Sequence, residues 1–326
     1  MRAFQYANPT TVEDAVALLA AGAGKAVALA GGTDLLSLMK DDVERPERLI
    51  NLKSIASMRG IERTKDGALR IGALATIDDL LASTEAAAYP ALAHAADGIR
   101  SPQLRVMGTV GGELLQRPRC WYYRAGFGLL AQRDGRSMVV DGDNRYHAIL
   151  GTDGPAYFVH ASSLAPPLIA LGARVKIVGP GGAREAPLRE IYRAPKSGGE
   201  RETTLAAGEV LTEILVPKTA ARAATYEVRQ HESMDWPLAA AAVALEMDGE
   251  TVKTARVVLG HVAPTPFDAA GAGAALAGKK LDDAAIAAAG DAAVAGAKPL
   301  SGNAYKVQLA RVATRRALLR AAGREV

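Results

Sequence analysis

The chain has a single cysteine, Cys120, so it can close no intrachain disulfide and cannot alone build a multi-cysteine iron–sulfur or zinc site. Aromatic residues are scarce at 5%, and no run approaches the roughly 18 apolar residues that a membrane-spanning helix needs. Met1-Arg2-Ala3-Phe4-Gln5-Tyr6 carries no apolar signal region, so the cytoplasm is the expected compartment. Export to the periplasm alongside a partner with a twin-arginine signal is the alternative. A strong charge bias is also missing. Lys and Arg number 39 against 35 Asp and Glu, a net +4, which gives no basic stripe for nucleic acid. Arg311, Arg315, Arg316, Arg320 and Arg324 fall at helical spacing and read as a solvated or subunit-facing surface. The histidines, His94, His147, His160, His231 and His261, show no H-x-x-x-H or similar spacing, so neither a metal site nor a catalytic residue is assigned. His231, near Asp235 and Trp236, reads as a surface or structural histidine.

What is present is a well-packed composition, 49% hydrophobic and 23% charged, in a chain long enough for two or three domains. Thr10-Thr11-Val12-Glu13-Asp14 offers a capping box for a first helix ending near Gly22 and Gly24. Ala26 to Ala30 suits a buried strand, Gly31-Gly32-Thr33-Asp34 a turn, and Leu35 to Met39 a helix. Leu69 to Leu74 predicts another strand, Thr76 caps a helix through Leu80-Leu81, and Ala91 to Asp97 predicts a further helix. A second glycine turn, Gly108-Thr109-Val110-Gly111-Gly112, is expected to be entered from an extended segment at Val106-Met107.

Residues 117 to 150 are irregular and rich in Arg, Tyr and Gly, whereas Ser162 to Gly172 is a capped helix with prolines near its start. Val175 to Val178 and Val210 to Val216 predict strands around a polar loop at 195 to 208, and a domain is expected to close near Pro217. Beyond it, Ala223 to Gln230, Pro237 to Glu246 and Val252 to His261 predict three antiparallel strands, the last two joined by a turn at Asp248-Gly249. The Ala-rich remainder predicts two or three helices with breaks at Gly278, Gly290 and Gly302.

A glycine turn between strand and helix lets backbone N–H groups converge on an anion, because glycine tolerates the dihedrals and leaves no side chain in the way. Pyrophosphate is the natural guest. The Thr109 hydroxyl adds a hydrogen-bonding group for a phosphate or ribityl oxygen. Two such turns suit an extended dinucleotide better than a mononucleotide. Neither turn matches a Rossmann fingerprint or a P-loop, and such turns also occur merely to cap helices.

Ala28-Leu29-Ala30-Gly31-Gly32-Thr33-Asp34-Leu35-Leu36 and Gly108-Thr109-Val110-Gly111-Gly112-Glu113-Leu114 resemble, in order and spacing, the two FAD-binding signatures of the xanthine dehydrogenase and carbon monoxide dehydrogenase flavoprotein family. Ser162 to Leu168, Leu211 to Ile214 and Asn303-Ala304-Tyr305-Lys306-Val307 resemble further landmarks, so the likeness spans nearly the whole chain. The resemblance implies an α+β fold: a two-lobed FAD-binding domain of the vanillyl-alcohol-oxidase (PCMH) type over residues 1–217, with lobes of roughly 1–55 and 56–217. A C-terminal α+β domain, residues 218–326, then carries a three-stranded antiparallel sheet and helices. It further implies flavin contacts from Leu29, Ala30, Gly31, Gly32, Thr33, Asp34 and Leu35, from Ile99, from Thr109, Val110, Gly111, Gly112 and Glu113, and from Ser163 and Leu215. Two partners are implied as well: a large molybdopterin subunit that oxidises the substrate, and a small subunit whose two [2Fe–2S] clusters deliver electrons to the FAD.

Leu114 to Arg124 most resembles the branch serving aldehyde oxidoreductases, some members of which hold an extra [4Fe–4S] cluster. With Cys120 as the lone thiol, no [4Fe–4S] cluster is expected in this chain. Three positions depart from the family pattern: Glu113 stands where Asn is usual, Ser163 where Asp is common and Glu227 where many relatives have Lys. A carboxylate near the ring would lower the flavin potential and a cation would raise it. A stand-alone flavin reductase or oxidase, and a scaffold that has lost its flavin, are the alternatives to an electron-transfer subunit.

Overall fold

A computed structural model describes residues 1–22, 24–231 and 234–326. The elements run β1 (Gln5–Ala7), α1 (Val12–Ala21), β2 (Ala26–Leu29), α2 (Leu35–Lys40), β3 (Arg48–Asn51), β4 (Ile61–Arg63), β5 (Leu69–Gly72), α3 (Ile77–Ala82), α4 (Pro90–Asp97), α5 (Pro102–Met107) and α6 (Val110–Leu114). A π-type turn (Tyr123–Phe127) and the short pair β6 (Gln132–Arg133) and β7 (Arg136–Ser137) follow, then α7 (Ala165–Ala170), β8 (Arg174–Gly179), β9 (Gly182–Pro187) and β10 (Val210–Val216). The C-terminal part holds β11 (Arg222–Val228), β12 (Ala239–Asp248), β13 (Thr251–Gly260), β14 (Phe267–Asp268), α8 (Ala270–Leu276), α9 (Asp283–Ala293) and α10 (Tyr305–Ala321).

Three main sheets organise these elements. The first, in order β1-β3-β2, is parallel, because α1 and α2 supply the crossovers that parallel neighbours require. The second, β4-β5-β10-β8-β9, is antiparallel throughout. Leu69, Ile71, Val175, Ile177, Ile214 and Val216 alternate along its strands and are buried against α1, α4 and α7 in one core. The third sheet packs Val243, Leu245, Val257 and Leu259 against Ala310, Ala313, Ala317 and Leu318 of α10, a face of small residues that lets helix and sheet approach closely. Each fully buried Leu or Val there contributes about 1.5–3 kcal/mol.

Most of the sequence reading holds, and its departures have local causes. Val106 and Met107 lie in α5, not in an extended segment: the Ser101 hydroxyl accepts the Leu104 N–H (3.4 Å) and Pro102 presets the first helical dihedral. Gly290 does not end a helix; it sits inside α9, where a Cβ would lie 2.7 Å from Arg315 Cγ of α10, so glycine serves helix–helix contact. The three predicted C-terminal strands are joined by the two-residue β14 at the edge. Strands β1, β3 and β4 carried no hairpin or alternation signal strong enough to find.

The irregular segment is fixed to α10 by one buried cation. Lys306 is 1% exposed, and its ammonium donates to the carbonyls of Tyr146 (3.1 Å), His147 (3.1 Å) and His261 (2.8 Å). Burial pushes its pKa down to about 7. Asn303, one turn earlier, donates to the His147 and Ala148 carbonyls (3.2 Å each), which gives the Asn303 to Val307 stretch its structural role.

Candidate cofactor site

The two glycine turns touch. A Cβ on Gly31 would lie 2.7 Å from the Met107 carbonyl carbon and closer still to its oxygen, so only glycine allows the first turn to lean on the second. Gly32 has φ +77°, a conformation that other residues adopt at a cost. Behind them, a Cβ on Gly111 would meet the Ala73 carbonyl oxygen at 2.9 Å, which seats the second turn on the end of β5.

The turns differ in what they offer an anion. The N–H groups of Gly31, Gly32, Thr33 and Asp34 make no hydrogen bond to described residues. In the second turn, by contrast, Val110 N–H donates to the Ala75 carbonyl (2.8 Å) and Gly111 N–H to Ala73 (2.9 Å). Gly112 N–H donates to the Thr109 hydroxyl (3.1 Å), which is thereby the cap of α6. The first turn is therefore the backbone cradle. The second supplies a surface, and the Thr109 oxygen expected to meet a phosphate or ribityl group is already an acceptor within its own helix. Lys53, donating to the Ala30 carbonyl at 3.2 Å, brings a cation beside the first turn.

Two adjoining cavities open from these turns. The larger spans about 1730 Å³, counting the space open to solvent at its mouth, and is lined by Ala30, Gly31, Gly32, Thr33, Asp34 and Leu35 from one side, by Thr109, Gly111 and Gly112 from another, and by the 201–211 segment. The smaller, about 690 Å³, shares Thr33, Asp34, Gly112 and Gln116 and adds Ile99, Glu113, Ser163, Arg119, Arg229 and Trp236. Such length and concavity, apolar with a few polar groups, fit an extended ligand. Leu29, Val110 and Leu215 line neither cavity; Leu29 and Val110 are core residues, and Leu215 pairs with Arg70 and Arg174 within the second sheet.

Asp34 faces inward. Its carboxylate receives the Arg124 guanidinium (2.8 Å), the Arg119 guanidinium (3.1 Å) and the Arg117 N–H (2.8 Å), and so fastens the irregular segment to the first turn. Arg117 continues the network to Glu44 and Glu202. Arg119 also lies 4.4 Å from the Trp236 ring centroid, a cation–π contact at the cavity wall. These arginines escaped the sequence reading because the segment has no periodicity; their signal was the density of Arg and aromatic residues in Gln116 to Arg124.

Glu113 turns away from the turn that carries it. It accepts the Ser162 hydroxyl (2.5 Å), the Ser163 N–H (2.6 Å), the Leu164 N–H (3.4 Å) and the Gln116 side-chain amide (3.2 Å). The residue is part-buried, but its carboxyl is enclosed, and burial pushes its pKa up to about 7 against those donors. Glu227, 7% exposed at its side chain, pairs with Arg229. Burial raises its pKa as well. The pair is seated against Gly98, where a Cβ would lie 2.7 Å from Arg229 Nη2. Of the three residues that depart from the resembled family pattern, Glu113 and Ser163 are hydrogen-bonded to each other and Glu227 is held by Arg229.

A parallel lobe, an antiparallel lobe, paired glycine turns and an elongated cavity together define a dinucleotide-binding flavoprotein domain followed by a smaller sheet-and-helix domain. Comparison with known proteins is specific. Residues 2–219 match the FAD binding domain in molybdopterin dehydrogenase, and residues 224–321 match the CO dehydrogenase flavoprotein C-terminal domain. The carbon monoxide dehydrogenase medium chain of Hydrogenophaga pseudoflava is 33% identical over 97% of this chain and 96% of its own. The FAD-binding subunit of an Escherichia coli aldehyde oxidoreductase is 33% identical over 95% and 96%. A solved structure of the Hydrogenophaga pseudoflava carbon monoxide dehydrogenase, lacking the Mo-pyranopterin moiety, superposes with a TM-score of 0.78 at 32% identity over 100% of this chain and 99% of that one. The chain belongs to the family of FAD-binding subunits of molybdenum hydroxylases, components of oxidoreductase complexes. Among the described residues no helix is long and apolar enough to cross a membrane.

Proposed function

We propose that this chain carries FAD as the electron-transfer subunit of a heteromeric molybdenum hydroxylase whose substrate is an aldehyde. Electrons arrive from the [2Fe–2S] clusters of a small partner, the substrate being oxidised at molybdenum in a large one, and leave to an external acceptor. The carrying observation is the first glycine turn: four consecutive N–H groups without partners among described residues, beside Lys53, at the edge of an elongated cavity. Donors of that kind fit a pyrophosphate, and a cradle that a Cβ at Gly31 would fill fits its close approach.

In this reading Gly31, Gly32, Thr33 and Asp34 hold the pyrophosphate by backbone donors, Gly111 and Gly112 form the facing surface, and Ile99, Glu113 and Ser163 border the smaller cavity where the ring system lies. Bound FAD supplies the exchange between single-electron and paired-electron carriers. The protein positions it, excludes water and sets the charge around it. The aldehyde assignment is supported by likeness of Leu114 to Arg124 to the aldehyde oxidoreductase branch and by the Escherichia coli relative. Division into residues 1–217 and 218–326 follows the same reading. Purification with co-expressed partners, a visible spectrum and acid release of flavin test it. About one FAD per chain, with iron–sulfur absorbance only when partners co-purify, is the expected result; an active complex without flavin overturns it.

A further inference from the structure

Glu113 on α6 and Glu227 on β11 stand at one cavity. Ser163 gives its N–H to Glu113, Arg229 pairs with Glu227, and Glu113, Ser163 and Arg229 all line the smaller cavity with Thr33, Ile99 and Gly112. Their surroundings fix the charge count. From the approach to α7 come only the neutral donors of Ser162, Ser163 and Leu164; from just past β11 comes Arg229; from the irregular segment comes Arg119, already bound to Asp34. Tyr192 lies on the far side, its hydroxyl donating to the Leu114 carbonyl (3.2 Å), and burial raises its pKa so that it stays neutral. His160 packs edge-on to Tyr192 (4.4 Å between ring centroids) and burial pushes its pKa down to about 3; burial holds His261 neutral as well. With both carboxyls ionised, Arg229 balances one of them and a negative charge is left enclosed. Glu227 Oε1 is moreover buried without a partner among described residues.

We infer that Glu113, in the wall of the cofactor cavity, and Glu227, behind it on Arg229, act as a proton-binding carboxyl pair, taking up one proton as negative charge enters the cavity and releasing it as that charge leaves. The proton comes from and returns to bulk water; the electrons come from the reduced iron–sulfur partner, and none passes through the pair. The proton belongs to the pair rather than to either residue, and Glu227 Oε1 is the oxygen free to carry it. Glu113 and Glu227 are positioning residues, since they set the charge at the cofactor without entering the redox step. The source of the negative charge rests on the FAD reading above.

Infrared titration of the full chain tests the pair, first without flavin and then with it, from about pH 5 to about pH 9, the range that brackets a raised carboxyl. The carbonyl stretch of a protonated acid is expected to bleach with a midpoint near 7 in the wild type. Glu113→Asn, which installs the residue usual in the resembled family, abolishes the band at neutral pH. Glu227→Gln, which removes the like charge, moves the midpoint down by about one pH unit. In flavin-loaded protein the potential–pH line bends at the wild-type midpoint and straightens in Glu113→Asn. Failure of the band to appear, or its survival unchanged in both variants, overturns the pair. A titrating band in a chain that never takes up FAD leaves the pair standing and overturns the flavin reading instead.

Discussion

Replacing Gly31 by alanine should separate flavin binding from folding. The new methyl would lie 2.7 Å from the Met107 carbonyl carbon, with the carbonyl oxygen nearer still, where ordinary contacts need roughly 3.5 Å. The two turns must then part by on the order of 1 Å, and because both obstructing atoms are backbone, no rotamer change relieves them. Overpacking of this kind costs about 1–3 kcal/mol. Much of it should appear as lost cofactor affinity, since the displaced element is the N–H cradle itself; at about 1.4 kcal/mol per factor of ten, FAD should bind roughly 10- to 100-fold more weakly. The assay is FAD titration by fluorescence beside thermal unfolding of the flavin-free protein. Gly154→Ala is the control, because its Cβ meets nothing within 4 Å. Wild-type affinity in Gly31→Ala would refute the claim that close contact between the turns shapes the site.

Asp34→Ala leaves Arg119, Arg124 and the Arg117 N–H without their acceptor, and should destabilise the chain by about 3 kcal/mol in urea unfolding while opening residues 117–127 to protease; an unaltered digestion pattern would contradict the fastening role. Lys306→Met strips three carbonyls of their donor, about 1 kcal/mol each, partly offset by relief of a buried charge. A net loss of about 2 kcal/mol is expected, and a more stable variant would argue against the clamp. The buried histidines and the buried Glu113 pull the pH profile of stability in opposite directions. His147 and His160 have pKa values pushed down by burial to about 4 and about 3, so their stabilisation is present above the ordinary histidine value and is lost as pH falls toward those values. Glu113, raised to about 7, works in reverse: its contribution is full below the ordinary carboxyl value and is lost as pH rises through 7. Melting temperatures of the wild type and of Glu113→Gln from about pH 4 to about pH 7 separate the two, and a variant curve that runs parallel to the wild type would contradict the assignment of Glu113.

The sequence carried the helices and the long strands because their signals are local. Thr11 and Thr76 each cap a helix through their own side chains, and the hairpin expected at Asp248-Gly249 closes one residue later, at Gly249-Glu250. The glycine turns were legible as turns, but not their division of labour, which depends on Ala73 and Ala75 as distant acceptors. Likewise Glu113 was visible as an unusual residue beside a glycine pair, yet its partners lie about 50 positions away, just before α7. Gly290 misled for the same reason: read locally it breaks a helix, and only Arg315 across the interface explains it. Short strands such as β1 and β4, three residues each, exist because neighbours pair with them rather than because their own composition demands it.

The contact between Arg119 and Trp236 carries an optical consequence. The chain has two tryptophans, Trp121 and Trp236; Trp236 stands in the wall of the smaller cofactor cavity, and both border the adjoining cavity that holds Cys120 and His147. Tryptophan emission therefore comes from indoles in or next to the site, one of them under a guanidinium that is itself tied to the glycine turn through Asp34. Filling the cavity, loosening the turn or freeing the irregular segment each changes the surroundings of the same two fluorophores, so the protein reports on its own loading without a label.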